Sequence, residues 1–366
     1  MKCPLCSSNE TETFEVNHPF IRHLDFTDMY DKGRLGQCRS CYLVFNVISE
    51  RSEKELQSYY TSLAYAKSRQ TKHTVTVTEF AKPVTRSFLQ AEMIRDFFSI
   101  EKPKILDIGC FDGELLKELE SRFPDGDYHG FDINPYLEGL FFKGNRFHFW
   151  FSDLSRIDEI FDLICLSHSL AYIQDLNALS VQLDRLLKAD GTLFVQTANL
   201  EANPCIALFA DQRYLFSHKI LCNLFAHLGF TLTTVHSDWF PREIVGTGKK
   251  RLRMKAKPFR TDLHLAESLT DLESMAVRIQ EVKQEGNIGV LGTTVNAAFT
   301  HGILGDRTGF FVEENPYKTQ VSFRGREVVH PAKLHNNDMV ILPYGKTAAK
   351  IALRFEAQYP GRFVPV

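Results

Sequence analysis

The stretch Lys104–Leu116, KILDIGCFDGELL, decides the fold of this 366-residue chain. An apolar run, Ile105-Leu106, leads into Asp107, and two glycines, Gly109 and Gly113, follow it. Glycine permits a tight turn and lets the backbone approach a ligand that a Cβ atom would keep away. The stretch therefore predicts a buried strand, a glycine turn and the start of a helix.

Two more predicted strands end on acids. The run 128–133 ends a second strand on Asp132, and the run 147–151 is a third strand that leads to Asp153. A carboxylate such as Asp132 suits a ribose, because it can accept hydrogen bonds from both hydroxyls. Three consecutive strands ending in acids around a glycine turn point to a ligand of the adenosine type.

This pattern, DxGxxxG at 107–113 followed by Asp132 and Asp153, resembles the class I S-adenosylmethionine (SAM) dependent methyltransferases. Phe111 stands where most of them have a middle glycine. The turn therefore differs from the GxGxxG of NAD-binding proteins, whose pyrophosphate needs that glycine, whereas SAM has no phosphate. An ordinary strand, turn and helix that bind nothing is the alternative. The cofactor-binding residues that the resemblance implies are Asp107, Gly109, Asp112, Gly113, Asp132, Ile133, Asp153, Leu154 and His168.

Four of the eight cysteines are organised in two pairs, Cys3-x-x-Cys6 and Cys38-x-x-Cys41. Each pair can offer two thiolates to one ion, and two pairs complete a closed tetrahedral zinc site. A closed site leaves no open position for water, so the predicted zinc is structural. A redox-active pair and chance spacing are the alternatives. The other cysteines are expected to pack in apolar surroundings.

The cysteine pairs, the glycine turn and a C-terminal third with the run Asn315-Pro-Tyr-Lys318 together resemble three-domain SAM-dependent C-methyltransferases of nucleotide-linked deoxysugars. In that family a zinc module helps to hold the substrate, a middle domain binds SAM, and a smaller Rossmann-like domain closes the cleft. The resemblance implies an α/β fold with a central seven-stranded sheet. It also implies a zinc-binding module and connector at 1–75, a SAM-binding domain at 76–260 and a Rossmann-like domain at 261–366.

Hydrophobic periodicity predicts alternating strands and helices in the second and third of these domains. In the middle domain, strands are predicted at 104–109, 128–133, 147–152, 161–168 and 191–197, helices at 80–100 and 176–189, and a hairpin at 230–236 and 251–257. In the last part, a linking helix is predicted at 262–285, a helix at 295–304, and strands near 288, at 308–314 and at 338–343. That last unit is expected to bind no second cofactor.

Charge and hydropathy restrict the partners. The net charge is −2 and the sequence pI is about 6.7, so the chain has no excess of positive charge that would attract nucleic acid. We therefore do not expect nucleic acid as a partner. The N-terminus lacks the apolar run of a signal peptide, and no apolar stretch is long enough to cross a membrane. We expect a cytoplasmic protein without a membrane partner. The sequence leaves the oligomeric state open.

The general base is the weakest part of the resemblance. The resemblance implies that the base of the sugar C-methyltransferases is a histidine in an acid–His–aromatic run before Leu-Phe-Ser. The matching run in this chain is Asp211-Gln212-Arg213-Tyr214. Gln212 replaces the histidine, and an amide cannot act as a base. His168 follows the fourth strand, and histidine is the residue type best suited to act as a base near neutral pH, so it is a candidate base, unless it packs or holds the amino acid end of SAM. Tyr172 and Tyr214 are further catalytic candidates, with packing as the alternative, and His236 lies in a segment expected near the acceptor.

We therefore expect a SAM-dependent methyltransferase that acts on a small soluble acceptor, such as a nucleotide-linked sugar or a related biosynthetic intermediate. Carbon, oxygen and nitrogen all remain open as the methylated atom. An RNA methyltransferase with a zinc module is one alternative, which the small net charge disfavours. The other is a catalytically decayed SAM-binding or scaffold protein, which turnover with any acceptor would exclude.

Overall fold

The computed structural model describes residues 1–23, 25–30, 32–68, 74–75, 80, 83–140, 144–235, 238–250, 264–283, 288–316, 318–319 and 321–366. Contacts divide the chain into two compact units. The first comprises Met1–Glu12, Gly36–Asn199 and Arg213–Thr261, and the second comprises Thr13–Leu35, Leu200–Gln212 and Asp262–Val366. The three domains with boundaries near residues 75 and 260 remain a prediction, because compactness alone does not show which segments fold independently.

The N-terminal part consists of short strands and two helices. These are β1 (Thr11–Val16), β2 (Phe20–Ile21), β3 (Asp28–Tyr30), β4 (Gly33–Cys38), β5 (Val44–Asn46), α1 (Glu50–Tyr60), α2 (Leu63–Ser68), β6 (Thr74–Val75) and β7 (Val84–Thr85). Helix α1 begins after Ser49, whose hydroxyl accepts a hydrogen bond from the N–H of Ser52 at 3.1 Å. Such a cap satisfies one of the free N–H groups at the start of a helix.

A seven-stranded sheet forms the centre of the first unit. Its elements and their neighbours are α3 (Arg86–Phe97), β8 (Lys104–Ile108), α4 (Glu114–Glu120), β9 (Asp127–Asp132), β10 (Phe147–Phe151), β11 (Phe161–Ser167), α5 (Leu176–Leu186), β12 (Leu187–Ala198), β13 (Tyr214–Leu215), α6 (His218–His227), β14 (Phe230–Val235) and β15 (Glu243–Lys250). The strand order is β10-β9-β8-β11-β12-β15-β14. Strands β8 to β12 pair in parallel, and β15 is antiparallel to both of its neighbours. The predicted seven-stranded Rossmann-like sheet is confirmed.

Some predicted boundaries in this unit differ from the observed ones. The helix predicted from residue 80 begins only at Arg86, because Thr85 is extended and caps it. The fifth strand starts at Leu187 instead of residue 191. The second arm of the hairpin, predicted at 251–257, lies outside the described residues. Strand β14 pairs instead with β15, whose glycines, Gly246 and Gly248, weaken its signal as a strand in the sequence.

The core of the first unit lies against this sheet. Ile105 and Leu106 of β8 are fully buried, as expected for a central parallel strand that is covered on both faces. Leu89 of α3 and Leu116 and Leu119 of α4 are fully buried in the same way. Each such side chain contributes about 1.5–3 kcal/mol through removal of its surface from water. Burial of β8 thus fixes the position of the turn that follows it.

The second unit contains a parallel sheet of its own. Its elements are α7 (His264–Glu281), β16 (Ile288–Leu291), α8 (Val295–Leu304), β17 (Thr308–Val312), β18 (Val328–Val329), β19 (Met339–Leu342), α9 (Ala348–Gln358) and β20 (Arg362–Pro365). The five strands follow the order β18-β17-β16-β19-β20, and every pair is parallel. This arrangement confirms the predicted Rossmann-like α/β unit. Among the described residues, no helix is both long and apolar enough to cross a membrane.

Gly130 of β9 provides a test of the packing beneath the sheet. A Cβ atom there would lie 2.6 Å from Cδ1 of Phe149 and 2.7 Å from Sγ of Cys110. We expect Gly130→Ala to lower the free energy of unfolding by about 1–3 kcal/mol, the cost of overpacking a filled core. Urea unfolding followed by circular dichroism measures it.

Gly302→Ala is the matched control. Gly302 lies in α8, and a Cβ atom there would meet nothing within 4 Å. Alanine favours a helix by up to about 1 kcal/mol relative to glycine, so this change should not destabilise the protein. Equal stability of the two variants would contradict the packing described for β9.

Candidate active site

The glycine turn after β8 needs both of its glycines. Gly109 has φ +82° and its N–H donates to the carbonyl of Phe131 at 2.7 Å. A Cβ atom on Gly109 would lie 2.5 Å from Cβ of Ser169. Gly113 has φ +77° and is the N-cap of α4. Both positions therefore favour glycine. The turn that they form follows β8 at the carboxyl end of the sheet.

Three acids meet at this turn. Asp107 is buried, and among the described residues its Oδ1 atom has no hydrogen-bond partner. Burial, together with the charges of Asp132 and Asp112, raises the pKa of Asp107 to about 8. Asp132 accepts hydrogen bonds from the N–H groups of Phe111 at 3.1 Å and Asn134 at 3.0 Å. A buried carboxyl group with an unsatisfied oxygen beside two other acids is suited to a cationic ligand.

The next two strand ends extend this surface. Ile133 follows Asp132 and is 48% exposed, which is unusual for a large apolar side chain. Asp153 follows β10 and is exposed, and the hydroxyl and N–H of Ser155 donate to its Oδ1 atom and lower its pKa. Leu154 is half-buried in the turn that begins there. An apolar patch bordered by an acid thus lies beside the acid cluster.

Backbone strain is found at the same strand ends. Phe111, Ser152 and His168 have φ values of 48°, 70° and 56°, and they follow β8, β10 and β11. The left-handed conformation costs a residue other than glycine on the order of 1 kcal/mol. Strain of this kind persists where the surrounding structure holds it and is common at ligand-binding sites.

His168 belongs to a polar network that crosses four elements. Its Nε2 atom lies 2.9 Å from Nη1 of Arg86 and 3.1 Å from Oε2 of Glu243. Arg86 forms an ion pair with Glu243, and the side-chain amide of Gln196 donates to Glu243. Gln90 donates in turn to the side chain of Gln196 at 2.7 Å. Since these contacts engage Nε2, the Nδ1 atom of His168 is the one left for a ligand.

Glu243 is the ionised centre of this network. Burial opposes the charge on its carboxyl group, but the charges of Arg86 and His168 and their hydrogen bonds outweigh burial and hold the pKa of Glu243 well below its usual range. A carboxylate beside Nε2 can hold the imidazole ring in one orientation and stabilise its protonated form. If Nε2 donates to Glu243, Nδ1 of the neutral ring is free of a proton, whereas if Nε2 accepts from Arg86, which can only donate, Nδ1 carries the proton.

Sequence reasoning found His168 but missed Arg86 and Glu243. The two residues are 157 positions apart in the chain, and no local pattern links them. Arg86 starts a helix that the periodicity had placed six residues earlier, and Glu243 starts the glycine-containing strand β15. Thr85 as a cap before an apolar run is the only sequence signal that could have located the start of α3.

Tyrosines of the N-terminal helices gather beside the glycine turn. The ring of Tyr65 lies 5.7 Å from that of Phe111 and 5.0 Å from that of Tyr60. Tyr172 lies 5.6 Å from Tyr60, which brings this predicted residue into the group. The buried side chain of Asn134 donates to the carbonyl of Tyr60 at 2.8 Å and so ties α1 to the strand end that carries Asp132. Aromatic surface therefore lines the first unit next to the acids.

The remaining predicted residues lie elsewhere. Tyr214 is buried in β13, its hydroxyl donates to the carbonyl of Gln174 at 3.3 Å, and burial raises its pKa to about 12. Gln212 is buried in the segment 200–212 of the second unit. His236 falls outside the described residues. The catalytic role of Tyr214 remains a prediction.

The four N-terminal cysteines form one cluster. The Sγ atoms of Cys3 and Cys41 are 3.5 Å apart, as are those of Cys6 and Cys38, and all four lie within 4.8 Å of one another. Four sulfurs bound to one zinc ion at 2.3 Å would stand about 3.8 Å apart, so small shifts would suffice. The N–H of Ser40 donates to Sγ of Cys38 at 3.3 Å, a contact of the kind that orients the ligands of a metal ion. The cluster can hold a tetrahedral metal ion.

Sequence comparison assigns the central part of the first unit. Residues 79–235 match a family model described as a methyltransferase domain. The match covers the glycine turn, the acids, His168 and the strands up to β14. No curated protein matches the sequence of the chain.

Solved structures of methyltransferases resemble part of this chain at low identity. They include an O-methyltransferase family protein from Burkholderia thailandensis (14% identity, TM-score 0.38, covering 45% of this chain and 56% of that one). The calicheamicin-biosynthesis methyltransferase CalO1 in its SAH-bound form has 16% identity and a TM-score of 0.37, over 45% of this chain and 54% of that one. The plantazolicin methyltransferase BpumL, solved with a monoazolic desmethylPZN analogue and SAH, has 14% identity and a TM-score of 0.38, over 45% of this chain and 82% of that one.

This chain spans little more than half of the first two of these proteins, and likeness of this extent identifies no acceptor. The match to the methyltransferase domain rests on the sequence itself and includes six of the seven strands of the sheet, all but β15. The chain therefore contains a methyltransferase domain and is an enzyme of the transferase class.

Proposed function

We propose that the first unit binds SAM at the carboxyl ends of β8, β9 and β10 and transfers its methyl group to a hydroxyl of a small acceptor. The observation that supports this most directly is Asp107, whose buried Oδ1 atom has no partner among the described residues and whose neighbours are Asp132 and Asp112. SAM has an ammonium group and a sulfonium ion, so it would neutralise this cluster. NAD has a negative pyrophosphate, which the same acids would repel.

The roles of the cofactor-binding residues follow from their positions. Each carboxylate oxygen of Asp132 accepts one backbone N–H and keeps capacity for a ribose hydroxyl. Asp153 would accept from the amino group of adenine, and Ile133 and Leu154 would lie against the faces of the ring. Asp107 would hold the ammonium group, and Asp112 would add negative charge nearby. Gly109 and Gly113 would let the backbone approach the cofactor.

Bound SAM supplies a methyl carbon that the positive sulfur makes electrophilic. Methyl transfer to a hydroxyl needs a base that removes the hydroxyl proton, and we propose Nδ1 of His168 for this step. That role requires the Nε2 proton of His168 to be donated to Glu243. If Nε2 instead accepted a hydrogen bond from Arg86, Nδ1 would carry the proton and could only orient the acceptor.

The acceptor class rests on the sequence resemblance. A nucleotide-linked sugar or a related biosynthetic intermediate fits a site bordered by aromatic rings such as those of Tyr60, Tyr65 and Tyr172. With Gln212 in place of the family's histidine, the base of the carbon-methylating enzymes is missing from its usual position. We therefore propose transfer to oxygen, with His168 as the base.

Calorimetry and turnover test this function together. Titration with SAM and with S-adenosylhomocysteine should show binding of both, and an added nucleotide sugar should tighten it. Methyl transfer from radiolabelled SAM to a nucleotide sugar, with the product analysed for an O-methyl group, would establish the reaction. Binding without turnover on any acceptor would favour a decayed SAM-binding protein, salt-sensitive methylation of RNA would favour an RNA enzyme, and absence of SAM binding would refute the proposal.

The raised pKa of Asp107 predicts how SAM binding depends on pH. Near pH 7 this carboxyl group is mostly protonated, because its pKa is about 8. A cation favours the carboxylate, so binding should release a proton, and affinity should rise by up to about tenfold per pH unit from pH 6 to 8 and then level off. Calorimetry in buffers of different ionisation enthalpy measures the proton release.

Two asparagine variants sharpen this experiment. Asp107→Asn should bind SAM more weakly and without the pH dependence. Asp153→Asn is the matched control, because Asp153 is exposed and its pKa is lowered, so that it is already ionised at these pH values. Its binding should weaken while keeping the pH dependence. Binding of wild-type protein that does not vary from pH 6 to 8 would contradict the role of Asp107.

Glu243→Gln tests how His168 is positioned. If Glu243 holds the Nε2 proton, its loss should lower kcat by about 10²-fold, since it disables general-base catalysis. The acid limb of the kcat/KM profile should move to lower pH, because a negative charge that stabilises the imidazolium is gone. His168→Gln should lose at least as much activity, and SAM affinity should be retained in Glu243→Gln. An unchanged pH profile and kcat would assign His168 to orientation through Arg86.

We also propose that the cysteine cluster holds one structural zinc ion. Cys38→Ser should remove that ion, because the other three sulfurs cannot complete the tetrahedron, and it should lower the melting temperature of the protein. Metal analysis by mass spectrometry measures the zinc content. Cys222→Ser is the control, since Cys222 is half-buried in α6 outside the cluster. Full zinc content in Cys38→Ser would refute the four-sulfur site.

A further inference from the structure

A second group of possible metal ligands lies on β9 and β10, the outer pair of strands in the seven-stranded sheet. His129 and His148 are direct partners in the parallel register of these strands. Asp127 precedes His129 by two residues, so its side chain projects from the same face of the sheet. The three residues lie toward the amino ends of their strands, whereas the proposed SAM site is at the carboxyl ends. We call this group the edge triad.

The ligand atoms of the edge triad lie close together. The Nε2 atom of His129 is 3.0 Å from Oδ2 of Asp127, and the Nε2 atom of His148 is 3.2 Å from Oδ1 of the same residue. One ligand atom from each of the three residues falls within 4.8 Å of the others. Two ligands on one zinc ion, at about 2.0–2.2 Å each, stand about 3.5 Å apart in tetrahedral geometry. The observed separations are within small side-chain adjustments of that arrangement.

His129 supplies an independent sign that a ligand is missing. Its side chain is 1% exposed, yet neither ring nitrogen makes a hydrogen bond within the described part of the chain. The contact of Nε2 with Asp127 is close, but its direction is not that of a hydrogen bond. A buried polar group without a partner is costly, and an ion beside Asp127 would satisfy it.

The surroundings hold the ring of His129 in place. It stacks on Trp150, with centroids 5.0 Å apart and planes 10° from parallel, and meets Phe161 edge-on at 4.9 Å. These contacts keep Nε2 beside the carboxylate of Asp127. Lys104 lies 3.8 Å from Asp127 but also pairs with Glu159, so an acid partly offsets its charge.

We propose that the edge triad binds a divalent transition-metal ion of intermediate softness, of which Zn²⁺ is the representative. Two imidazoles and one carboxylate are a donor set typical of this class, and three protein ligands leave a further position for water. His148 is 46% exposed on its side chain, which gives an ion a path from solvent. Bound there, the ion bridges the edge strand β10 to β9. Neither the cysteine cluster nor SAM binding is needed for this site.

Equilibrium dialysis against Zn²⁺ at micromolar concentration, followed by metal analysis of the full-length protein, tests the proposal. Wild-type protein should hold one zinc ion more than His148→Gln, and His148→Gln should bind that ion about tenfold more weakly or worse. His148 is the residue to change first, because it is partly exposed and its loss leaves the core intact. Asp127→Asn should give the same loss of one ion.

His335→Gln is the matched control, since His335 is exposed and lies outside the edge triad. It should bind as much zinc as wild type. Zinc in the cysteine cluster adds equally to all of these proteins, so the difference between wild type and His148→Gln reports the edge triad alone. Equal zinc content in wild type and His148→Gln would overturn the proposal and identify the edge triad as an acid paired with two histidines.

Discussion

The parallel pairing of β8 with β9 and β11 is the constraint on which the first unit depends. It brings the carboxyl ends of adjacent strands to one edge, where the turn after β8 must reverse within a few residues. Gly109 can make that turn only because it has no side chain to meet Ser169. Asp107 is buried on the same strand, and its Oδ1 atom has no hydrogen-bond partner there among the described residues. The sheet thus leaves space for a ligand at this edge and places there a buried carboxyl group that a positively charged ligand would stabilise.

A feature of the fold or of the candidate site could be predicted from the sequence when the residues that determine it lie close together in the chain. The acids and glycines of the proposed SAM site are encoded within a few residues of a strand, so Asp107, Gly113 and Asp132 were predictable. The family model confirms the domain to which they belong. The Arg86–Glu243 pair joins a helix start to an edge of the sheet, and its formation needs the whole sheet order to be known. For the same reason β15 was not predicted: it contains glycines in a run that only its pairing with β12 and β14 makes a strand.

The charges around the proposed SAM site differ from those around His168. At the cofactor end, burial and the charges of two neighbouring acids, Asp132 and Asp112, raise the pKa of Asp107. At the His168 end, Glu243 is compensated by Arg86, and its pKa is held low instead. Protonation can therefore relieve the first cluster but not the second. Such a division lets the cofactor end respond to a cation while the base keeps a fixed orientation.

Through β10, the edge triad is connected to the proposed SAM site. This strand lies at the edge of the sheet, and within the described part of the chain β9 is its one neighbouring strand. Its far end leads to Ser152, which has a strained conformation, and to Asp153. An edge strand with one neighbour is the part of a sheet most easily displaced. A metal ion shared by His129 and His148 would fix the register of these two strands near their amino ends. Because strands are stiff along their length, the same restraint would hold Asp153 relative to Asp132, which is the spacing that an adenosine must match.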